Sequence, residues 1–169
     1  MIQHTISPFY DENSTLLILG SFPSVASRES GFYYGHKQNR FWRVLAGVLG
    51  EEVPQSIEEK KSMLRRHHIA LWDVIARCDI VGSSDSSIKN VTVNRLSDVI
   101  EASKIEKIFL NGRKAQQLYN QYLRDKYGEA TYLPSTSAAN AAISTEGLCL
   151  YWSEALKRQN STKNTIDNF

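Results

Sequence analysis

Leu16-Leu17-Ile18-Leu19-Gly20 predicts a buried strand, because four apolar residues that end at a glycine are typical of one. A long segment rich in Ser, Gly, amide and aromatic residues follows, from Gly20 to Asn39, before helical periodicity begins. Loops of this length in compact domains are usually functional or disordered. The pairs Tyr33-Tyr34 and Phe41-Trp42 argue against disorder, because such aromatic surface tends to be buried or used. The segment therefore predicts a binding site for a flat polar ligand, of which a nucleobase is one.

Three further strand-like runs recur, and helical periodicity separates them. With Leu16–Leu19, the predicted strands are Ile69–Trp72, Ile105–Leu110 and Thr131–Leu133. The predicted helices are Phe41–Leu49, Ile57–His67, Val93–Ser103, Arg113–Lys126 and Leu148–Arg158. Strands that alternate with helices favour parallel pairing. The pattern predicts an α/β fold, a three-layer α/β/α sandwich with a central four-stranded, mainly parallel sheet. We expect one domain over residues 1–158 and a polar tail over residues 159–169.

The composition limits the class of protein. A hydrophobic content of 41% in 169 residues suffices for one sizeable core, and 20 Lys+Arg against 18 Asp+Glu neither demand nor exclude a polyanionic partner. Cys78 and Cys149 lie far apart and form no CxxC pair, which favours a reducing compartment and no metal site. No apolar run reaches membrane-spanning length, and the N-terminus lacks a signal-peptide pattern. We expect a cytoplasmic protein without a membrane partner.

Polar residues concentrate after the predicted strands. The segments at the carboxyl ends of the strands are Gly20–Asn39, Asp73–Ile88, Asn111–Lys114 and Pro134–Asn140. In open parallel sheets, ligands bind outside this edge. The four segments are therefore expected to converge on one site, although they are distant in sequence.

Individual residues in these segments also have structural explanations. Asn39 can cap the helix that follows it, and Asp73 can end its strand. Ser135 or Ser137 can cap a short helix, or can hold a phosphate together with free backbone N–H groups. Gly20-Ser21-Phe22-Pro23-Ser24 lacks the lysine of a phosphate-binding loop and the GxGxxG spacing of a dinucleotide site. Each motif alone leaves both interpretations open.

Two motifs lie in the first and the last of these four segments. The first is Gly20-Ser21-Phe22-Pro23-Ser24, continued by Ser27 and by the more specific block Tyr33-Tyr34-Gly35-His36…Asn39-Arg40-Phe41-Trp42. The second is Leu133-Pro134-Ser135-Thr136-Ser137-Ala138-Ala139-Asn140. Over roughly Thr15 to Ile143, the chain resembles the uracil-DNA glycosylase superfamily, and most closely its hypoxanthine-DNA (deoxyinosine) glycosylase branch. The resemblance implies a DNA repair enzyme that flips a deaminated base, preferably hypoxanthine, out of DNA and hydrolyses its N-glycosidic bond.

The resemblance also implies roles for the matched residues. In the chemistry, Asn39 orients the water or stabilises the departing base, His36 donates a proton to that base, and Asp73 is a reserve candidate for positioning water. The residues expected to bind the base are Ser21, Phe22 and Tyr34. Those expected to contact DNA phosphates are Ser24, Ser27, Arg113, Lys114, Ser135 and Ser137. None of the residues matched to the motifs is a lysine, since Lys37 falls in the gap between His36 and Asn39, so Schiff-base lyase chemistry is not expected. Neither a metal nor a cofactor is implied.

Four positions depart from the superfamily members that remove uracil fastest. Phe22 stands where they carry an aspartate, and Leu133 stands where they carry a histidine. Asp73 stands at their base-reading asparagine, and Ser137 stands near their aliphatic wedge. These departures favour hypoxanthine over uracil. The alternatives are a uracil or mismatch glycosylase, an inactive nucleic-acid-binding module of the same fold, and a small-molecule nucleoside binder. The expected partner is DNA containing deaminated bases, bound by a monomer without a protein partner.

Overall fold

The computed structural model describes the backbone of residues 1–166 and the side chains of residues 1–157. Its strands are β1 (Ile2–Gln3), β2 (Leu16–Gly20), β3 (Ile69–Asp73), β4 (Ile75–Asp79), β5 (Lys89–Val93), β6 (Lys107–Asn111) and β7 (Thr131–Leu133). Its helices are α1 (Val25–Ser30), α2 (Phe41–Leu49), α3 (Ile57–Arg66), α4 (Ser97–Ile100), α5 (Arg113–Tyr122), α6 (Arg124–Tyr127) and α7 (Thr145–Ile166). Asp85–Ser87 forms one turn of 3₁₀ helix.

The central layer is a four-stranded sheet in which every neighbouring pair is parallel. The strand order is β3-β2-β6-β7, and Leu16 of β2 faces Ile69 of β3 on one side and Lys107 of β6 on the other. The side chains of Leu17, Ile18 and Leu19 are fully buried, because a parallel sheet is covered on both faces. The predicted α/β class, with its four-stranded parallel sheet, is confirmed.

Helices cover the two faces of this sheet. Because crossovers between parallel strands are right-handed, the strand order β3-β2-β6-β7 places α2 and α3 over one face and α4 to α6 over the other. Helix α7 returns to the first face, where its fully buried Trp152 meets Phe41 of α2 edge-on at 5.8 Å between ring centroids. Phe41, Val44 and Leu45 of α2 are also fully buried, which matches the apolar face expected from their spacing. These contacts fix the start of α2, and hence Asn39, against the core.

A second, three-stranded antiparallel sheet corrects two predictions. The order is β1-β4-β5, and β4 lies inside the segment 73–88 that was predicted as a loop. Residues 89–93 form β5, so the predicted helix Val93–Ser103 shrinks to α4. The apolar spacing of Val93, Leu96 and Ile100 imitates a helix. The Asn94 amide instead donates to the backbone carbonyls of Asp73 (2.9 Å) and Ile75 (3.1 Å), which ties this segment to the sheet.

The C-terminal helix is longer than predicted. Helix α7 extends the expected Leu148–Arg158 at both ends, because Lys, Arg and Gln continue a helix without any apolar periodicity. The predicted tail therefore begins inside α7, and its last residues, 167–169, lie outside the described residues. The division into a domain at 1–158 and a tail stays a prediction. No helix within the described residues is both long and apolar enough to span a bilayer.

Candidate active site

A cavity of about 210 Å³ opens at the carboxyl ends of the parallel strands. It is lined by Gly20, Ser21, Phe22, Pro23, Ser24, Ser27, Tyr33, Tyr34, His36, Asn39, Asp73, Ser83, Asp85, Asn111, Ser135, Thr136, Ser137 and Ala138. These residues come from all four segments that were expected to converge. At about 30 Å³ per water molecule, this space is that of roughly seven waters, which suits one nucleobase.

The Asn39 amide is held by its oxygen. Asn39 Oδ1 accepts hydrogen bonds from the Phe41 backbone N–H (2.9 Å) and from the Thr136 hydroxyl (2.8 Å). The first bond satisfies a free donor at the start of α2, so both explanations considered for Asn39 hold together. Asn39 Nδ2 has no hydrogen-bond partner among the described residues. With both oxygen lone pairs occupied, the amide presents only N–H donors to the cavity.

The hydrogen bond from Thr136, which is itself bonded to Asn111, fixes the orientation of the Asn39 amide. Thr136 is fully buried, and its hydroxyl accepts from Asn111 Nδ2 (3.1 Å) while donating to Asn39. The Thr136 N–H donates to Asn111 Oδ1 (3.1 Å), and the Thr136 carbonyl accepts from the Arg40 N–H (3.0 Å). Neither residue was assigned a role from the sequence, although both lie in segments expected at the site. A fully bonded buried network of this kind leaves Asn39 a single orientation.

Stacking holds the Tyr34 ring in place, and the Tyr34 hydroxyl donates no hydrogen bond among the described residues. Its ring stacks on Phe41, with centroids 3.9 Å apart and planes 12° from parallel, so one face is already covered. Its hydroxyl is buried, its oxygen lies within reach of the Asn111 amide, and its O–H donates no hydrogen bond within the described part of the chain. Burial, and after it the negative charge of Asp73, raises the pKa of Tyr34, so the hydroxyl keeps its proton. A buried donor without a partner is costly and points to a ligand atom in the cavity.

Asp73 forms a buried pair with a histidine that the sequence argument missed. His4 Nε2 lies 2.8 Å from Asp73 Oδ2, and the two side chains are 3% and 4% exposed. Asp73 Oδ1 lies beside Gly20, where a methyl group would approach it to 2.5 Å. Only a glycine permits this close approach of the carboxyl group to β2. The carboxylate thus lies at the end of β3 and lines the cavity.

His36 lies at the mouth of the cavity and is exposed. Its Nδ1 accepts a hydrogen bond from the Gln38 backbone N–H at 3.1 Å. In the neutral ring the proton is therefore on Nε2. His36 can donate from Nε2 without first being protonated.

Residues 7–162 match the profile of the Uracil DNA glycosylase superfamily. The chain belongs to this superfamily. A hypoxanthine DNA glycosylase of Methanosarcina acetivorans is 39% identical over 146 residues, which cover 85% of this chain and 92% of that protein. A hypoxanthine DNA glycosylase of Methanosarcina barkeri is 37% identical over 154 residues, or 89% and 96% of the two chains.

A solved structure agrees with these sequence matches. A solution NMR structure from Methanosarcina acetivorans, described as a candidate uracil DNA glycosylase, superposes with a TM-score of 0.76 at 35% identity. The superposition covers 91% of this chain and 98% of that one. The resemblance drawn from the two sequence motifs is therefore confirmed, and the superfamily match extends beyond residues 15–143 at both ends.

Two residues expected to bind the base lie in the wall of this superfamily site. Phe22 is 9% exposed, meets the His4 ring edge-on at 5.8 Å, and has the Arg28 guanidinium over its ring at 5.6 Å. The Ser21 hydroxyl donates to Asp85 Oδ1 at 2.9 Å. Removal from water in the cavity wall raises the pKa of Asp85, although the Ser21 bond opposes that shift. Asp85 is thus a second cavity carboxyl that the sequence argument did not assign.

The hydroxyls of Ser24 and Ser27, which were expected to contact phosphates, form hydrogen bonds within the protein. Ser24 is the N-cap of α1, with its hydroxyl oxygen accepting from the Ser27 N–H at 3.1 Å. Ser27 is 1% exposed, and its hydroxyl accepts from Ser24 (3.0 Å) and from the Gly35 N–H (2.9 Å). This geometry does not support the predicted phosphate contact of Ser27. The hydroxyl instead ties α1 to the turn that carries Tyr34.

The second motif is a rigid turn rather than a helix cap. Ser135 Oγ accepts from the Ser137 N–H at 3.1 Å, and Ser137 Oγ accepts from the Ala139 N–H at 3.2 Å. No helix begins there in the described chain until α7, so the capping explanation is wrong. The Arg40 guanidinium ties this turn to the start of α2, because it donates to the carbonyls of Ile143 (2.7 Å) and Asn140 (3.0 Å).

Basic side chains lie close to the cavity without lining it. Arg113, at the start of α5, is exposed and has its guanidinium 5.1 Å from the Tyr132 ring centroid. Lys114 is half-buried, and its positive charge acts on the Asp85 carboxyl. Within the described residues, no three His, Cys, Asp or Glu side chains are grouped to hold a metal ion.

Proposed function

We propose that this protein is a DNA glycosylase that flips a deaminated base, preferably hypoxanthine, out of DNA and hydrolyses its N-glycosidic bond. The product is an abasic site, and neither a metal nor a cofactor takes part. One observation carries the proposal: the Asn39 amide is locked by two donors to its oxygen and offers only N–H groups to a base-sized cavity. The relatives from two Methanosarcina species bear the same activity in their names.

Binding of the base offsets the cost of flipping. Extrusion from the stack costs a few kcal/mol. The free face of Tyr34 stacks on the flipped ring, and such stacking contributes about 1–3 kcal/mol per base. Phe41 supports Tyr34 from behind, so the ring is already in place before DNA binds. Stacking on Tyr34 therefore offsets most of the free-energy cost of extruding the base.

Donors stabilise the base as it leaves. Cleavage of the N-glycosidic bond is largely dissociative, so negative charge grows on the purine while the sugar becomes cationic. Asn39 Nδ2 and His36 Nε2 donate hydrogen bonds to that charge, which a fixed dipole stabilises without reorganisation. Hypoxanthine offers O6 and N7 as acceptors, which suits a donor-only amide. No strong base is needed to reach this transition state.

The DNA backbone is gripped around the mouth of the cavity. Ser135 and Ser137 keep their hydroxyl protons for phosphate oxygens, whereas the Ser24 hydroxyl donates its proton to Ser27. Arg113 and Lys114 add positive charge, which makes binding depend on salt. We further propose that the protein acts as a monomer in the cytoplasm, which size-exclusion chromatography and fractionation would check.

The test uses duplexes that each bear a single deoxyinosine, deoxyuridine or deoxyxanthosine. The protein is added, and the strand is then cleaved with hot alkali, which acts only at abasic sites. We expect cleavage of the deoxyinosine strand after alkali, and its loss in Asn39→Ala. Gln38→Ala is the matched control, because this neighbouring side chain is exposed. Cleavage before alkali would instead indicate lyase activity.

Two other outcomes would favour the alternatives. Binding of the duplex without any abasic product would make the protein an inactive nucleic-acid-binding module. Faster cleavage at deoxyuridine than at deoxyinosine would make it a uracil glycosylase. Full activity of Asn39→Ala would remove the assigned role of Asn39.

A further inference from the structure

The mouth of the cavity carries a carboxyl group that the proposed chemistry leaves without a role. Asp85 belongs to the 3₁₀ turn Asp85–Ser87, and it is exposed while also lining the cavity. The hydroxyl of Ser21, the residue after β2, donates to Asp85 Oδ1 at 2.9 Å. Asp85 Oδ2 accepts no hydrogen bond from the described residues. One carboxyl oxygen is thus held in place, and the other remains free to accept from a ligand.

A negative charge at this position is unfavourable both for the folded protein and for DNA binding. Partial removal from water disfavours the carboxylate and raises the pKa of Asp85. Of the charged groups that act on it, Lys114 of α5 favours the carboxylate and Asp73 of β3 disfavours it. DNA brings further negative charge, because its phosphates pass close to the mouth. A carboxyl group that weakens folding and binding is expected to serve the reaction instead.

Two needs of the proposed reaction have no group assigned to them. A water molecule must be held with its oxygen towards C1′ of the sugar, and the positive charge that grows on the sugar must be stabilised. Asn39 meets neither need, because its oxygen is occupied and only its N–H groups remain. His36 Nδ1 is occupied by the Gln38 N–H. Both needs therefore call for another acceptor, and a negatively charged one.

The position of Asp85 suits the sugar rather than the base. When the base enters the cavity, the phosphates stay outside, so the sugar that joins them occupies the mouth. Asp73, the other carboxyl group of the cavity, is buried and paired with His4. The charge of Asp85 acts on the Tyr34 hydroxyl, so Asp85 faces the space beside the ring that stacks on the base. Of the two carboxyl groups, Asp85 is therefore the one placed at the sugar.

We propose that Asp85 is a catalytic carboxylate, which holds the attacking water through Oδ2 and stabilises the cationic sugar, while Ser21 positions it through Oδ1. The inference rests on the proposed glycosylase function and assigns that site a further catalytic residue. The C1′–N9 bond breaks, and its electron pair stays with hypoxanthine. The water oxygen bonds C1′ and gives one proton to Asp85 Oδ2, which releases it to solvent at the mouth. The anionic base takes up one proton from solvent as it leaves.

The test measures excision and DNA binding separately. Single-turnover cleavage of a deoxyinosine duplex gives the rate, and a duplex with 2′-fluorodeoxyinosine, whose sugar resists forming the cation, gives Kd without cleavage. Asp85→Asn keeps the size of the side chain and removes its charge. At pH 7 we expect its rate to fall about 100-fold, the lower end of what a positioned acid–base group contributes. Its Kd should fall about twofold at low salt, because a negative charge is removed from the surface that meets phosphates.

The pH dependence of the rate identifies the group that acts. Asp85 can hold water only as a carboxylate, so the wild-type rate should fall about tenfold for each pH unit below the raised pKa of Asp85. This acid limb should be absent in Asp85→Asn. Ser21→Ala removes the hydrogen bond that opposes the raised pKa, so the limb should move to higher pH and the rate at pH 7 should fall about fivefold. Protonation of His36 would add a donor and change the rate in the opposite direction.

Two further variants serve as controls. Asp85→Glu keeps a carboxylate and should recover to within about tenfold of the wild-type rate. Glu29→Gln removes the same charge from an exposed residue of α1 that does not line the cavity, so it should leave the rate and the acid limb unchanged. Urea unfolding at pH 7 checks that each variant is folded. If Asp85→Asn does not fold, the limb shift in Ser21→Ala decides alone.

Several results would overturn the inference. They are a rate within about threefold of the wild type in Asp85→Asn, an acid limb that persists in that variant, or a loss of DNA affinity that parallels the loss of rate. An equal loss of rate in Glu29→Gln would make the effect one of net charge alone. Wild-type protein that excises no base would refute the proposed function, and the inference would fall with it. An active wild type with an equally active Asp85→Asn would refute the inference alone.

Discussion

Replacing Thr136 by valine should loosen the catalytic amide without changing the shape of the core. Thr136 is fully buried, and its hydroxyl donates to Asn39 Oδ1 (2.8 Å) and accepts from Asn111 Nδ2 (3.1 Å). At about 1 kcal/mol for each bond, plus the penalty for an unpaired Asn111 N–H, the variant should lose about 2–3 kcal/mol of stability. For a chain of this size, that lowers Tm by about 4–12 °C.

The same change should lower excision of hypoxanthine. Asn39 keeps the bond from the Phe41 N–H and loses its second anchor, so roughly 1 kcal/mol of orientation is lost, or about fivefold in rate. Single-turnover excision at saturating enzyme measures this rate. Thr136→Ser keeps the hydroxyl and should remain within about twofold of the wild type. The reasoning is refuted if Thr136→Val matches Thr136→Ser in both rate and Tm.

Three further changes test the cavity wall. Gly20→Ala would bring a methyl group to 2.5 Å from Asp73 Oδ1. Because His4 holds that carboxyl group in place, the excision rate should fall about 100-fold. A rate within twofold of the wild type would show that Asp73 can move away. Tyr34→Phe removes a buried O–H that donates no hydrogen bond among the described residues, so urea unfolding should show up to about 1 kcal/mol of added stability, with slower excision. A lower stability would mean that the hydroxyl is bonded after all. Asp85→Asn concerns a carboxyl on an exposed residue, whose pKa is raised above 3.8 by partial removal from water, against the opposing effects of Ser21 and Lys114. Because the folded state disfavours the charged carboxyl, the stability that the protonated carboxyl contributes is complete below about pH 3.8 and is lost as the pH rises through the raised pKa. The variant should therefore be more stable than the wild type at about pH 7 and equal to it at about pH 3.5.

The fold was predictable where the signal is local. Strand β7 and helix α2 have the bounds expected from the sequence, because an apolar run or a helical face is written in consecutive residues. The antiparallel sheet was not predictable in this way. Strand β1 is two residues long and pairs with Arg77 and Cys78, so its existence depends on a distant partner. Strand β4 carries register shifts that blur its alternation.

The site was predictable as a location and as a set of motifs. The loops after parallel strands were expected to meet, and the first motif supplied Asn39, Tyr34 and His36, which all line the cavity. The sequence could not tell which side chains would remain free. Ser27 is a hydroxyl in a matched motif, yet it is buried and bonded within the protein.

By itself, the sequence determined the parallel sheet, the edge at which the site lies and the superfamily, because apolar runs, periodicity and motif spacing are properties of neighbouring residues. Tertiary structure alone decided the hydrogen-bonding character of the cavity. Asn39 became a donor because Thr136, 97 residues away, occupies its oxygen, and Asp73 became an acceptor because His4 reaches it across 69 residues. A polar group has a fixed number of bonding positions, and only folding shows which of them are already taken.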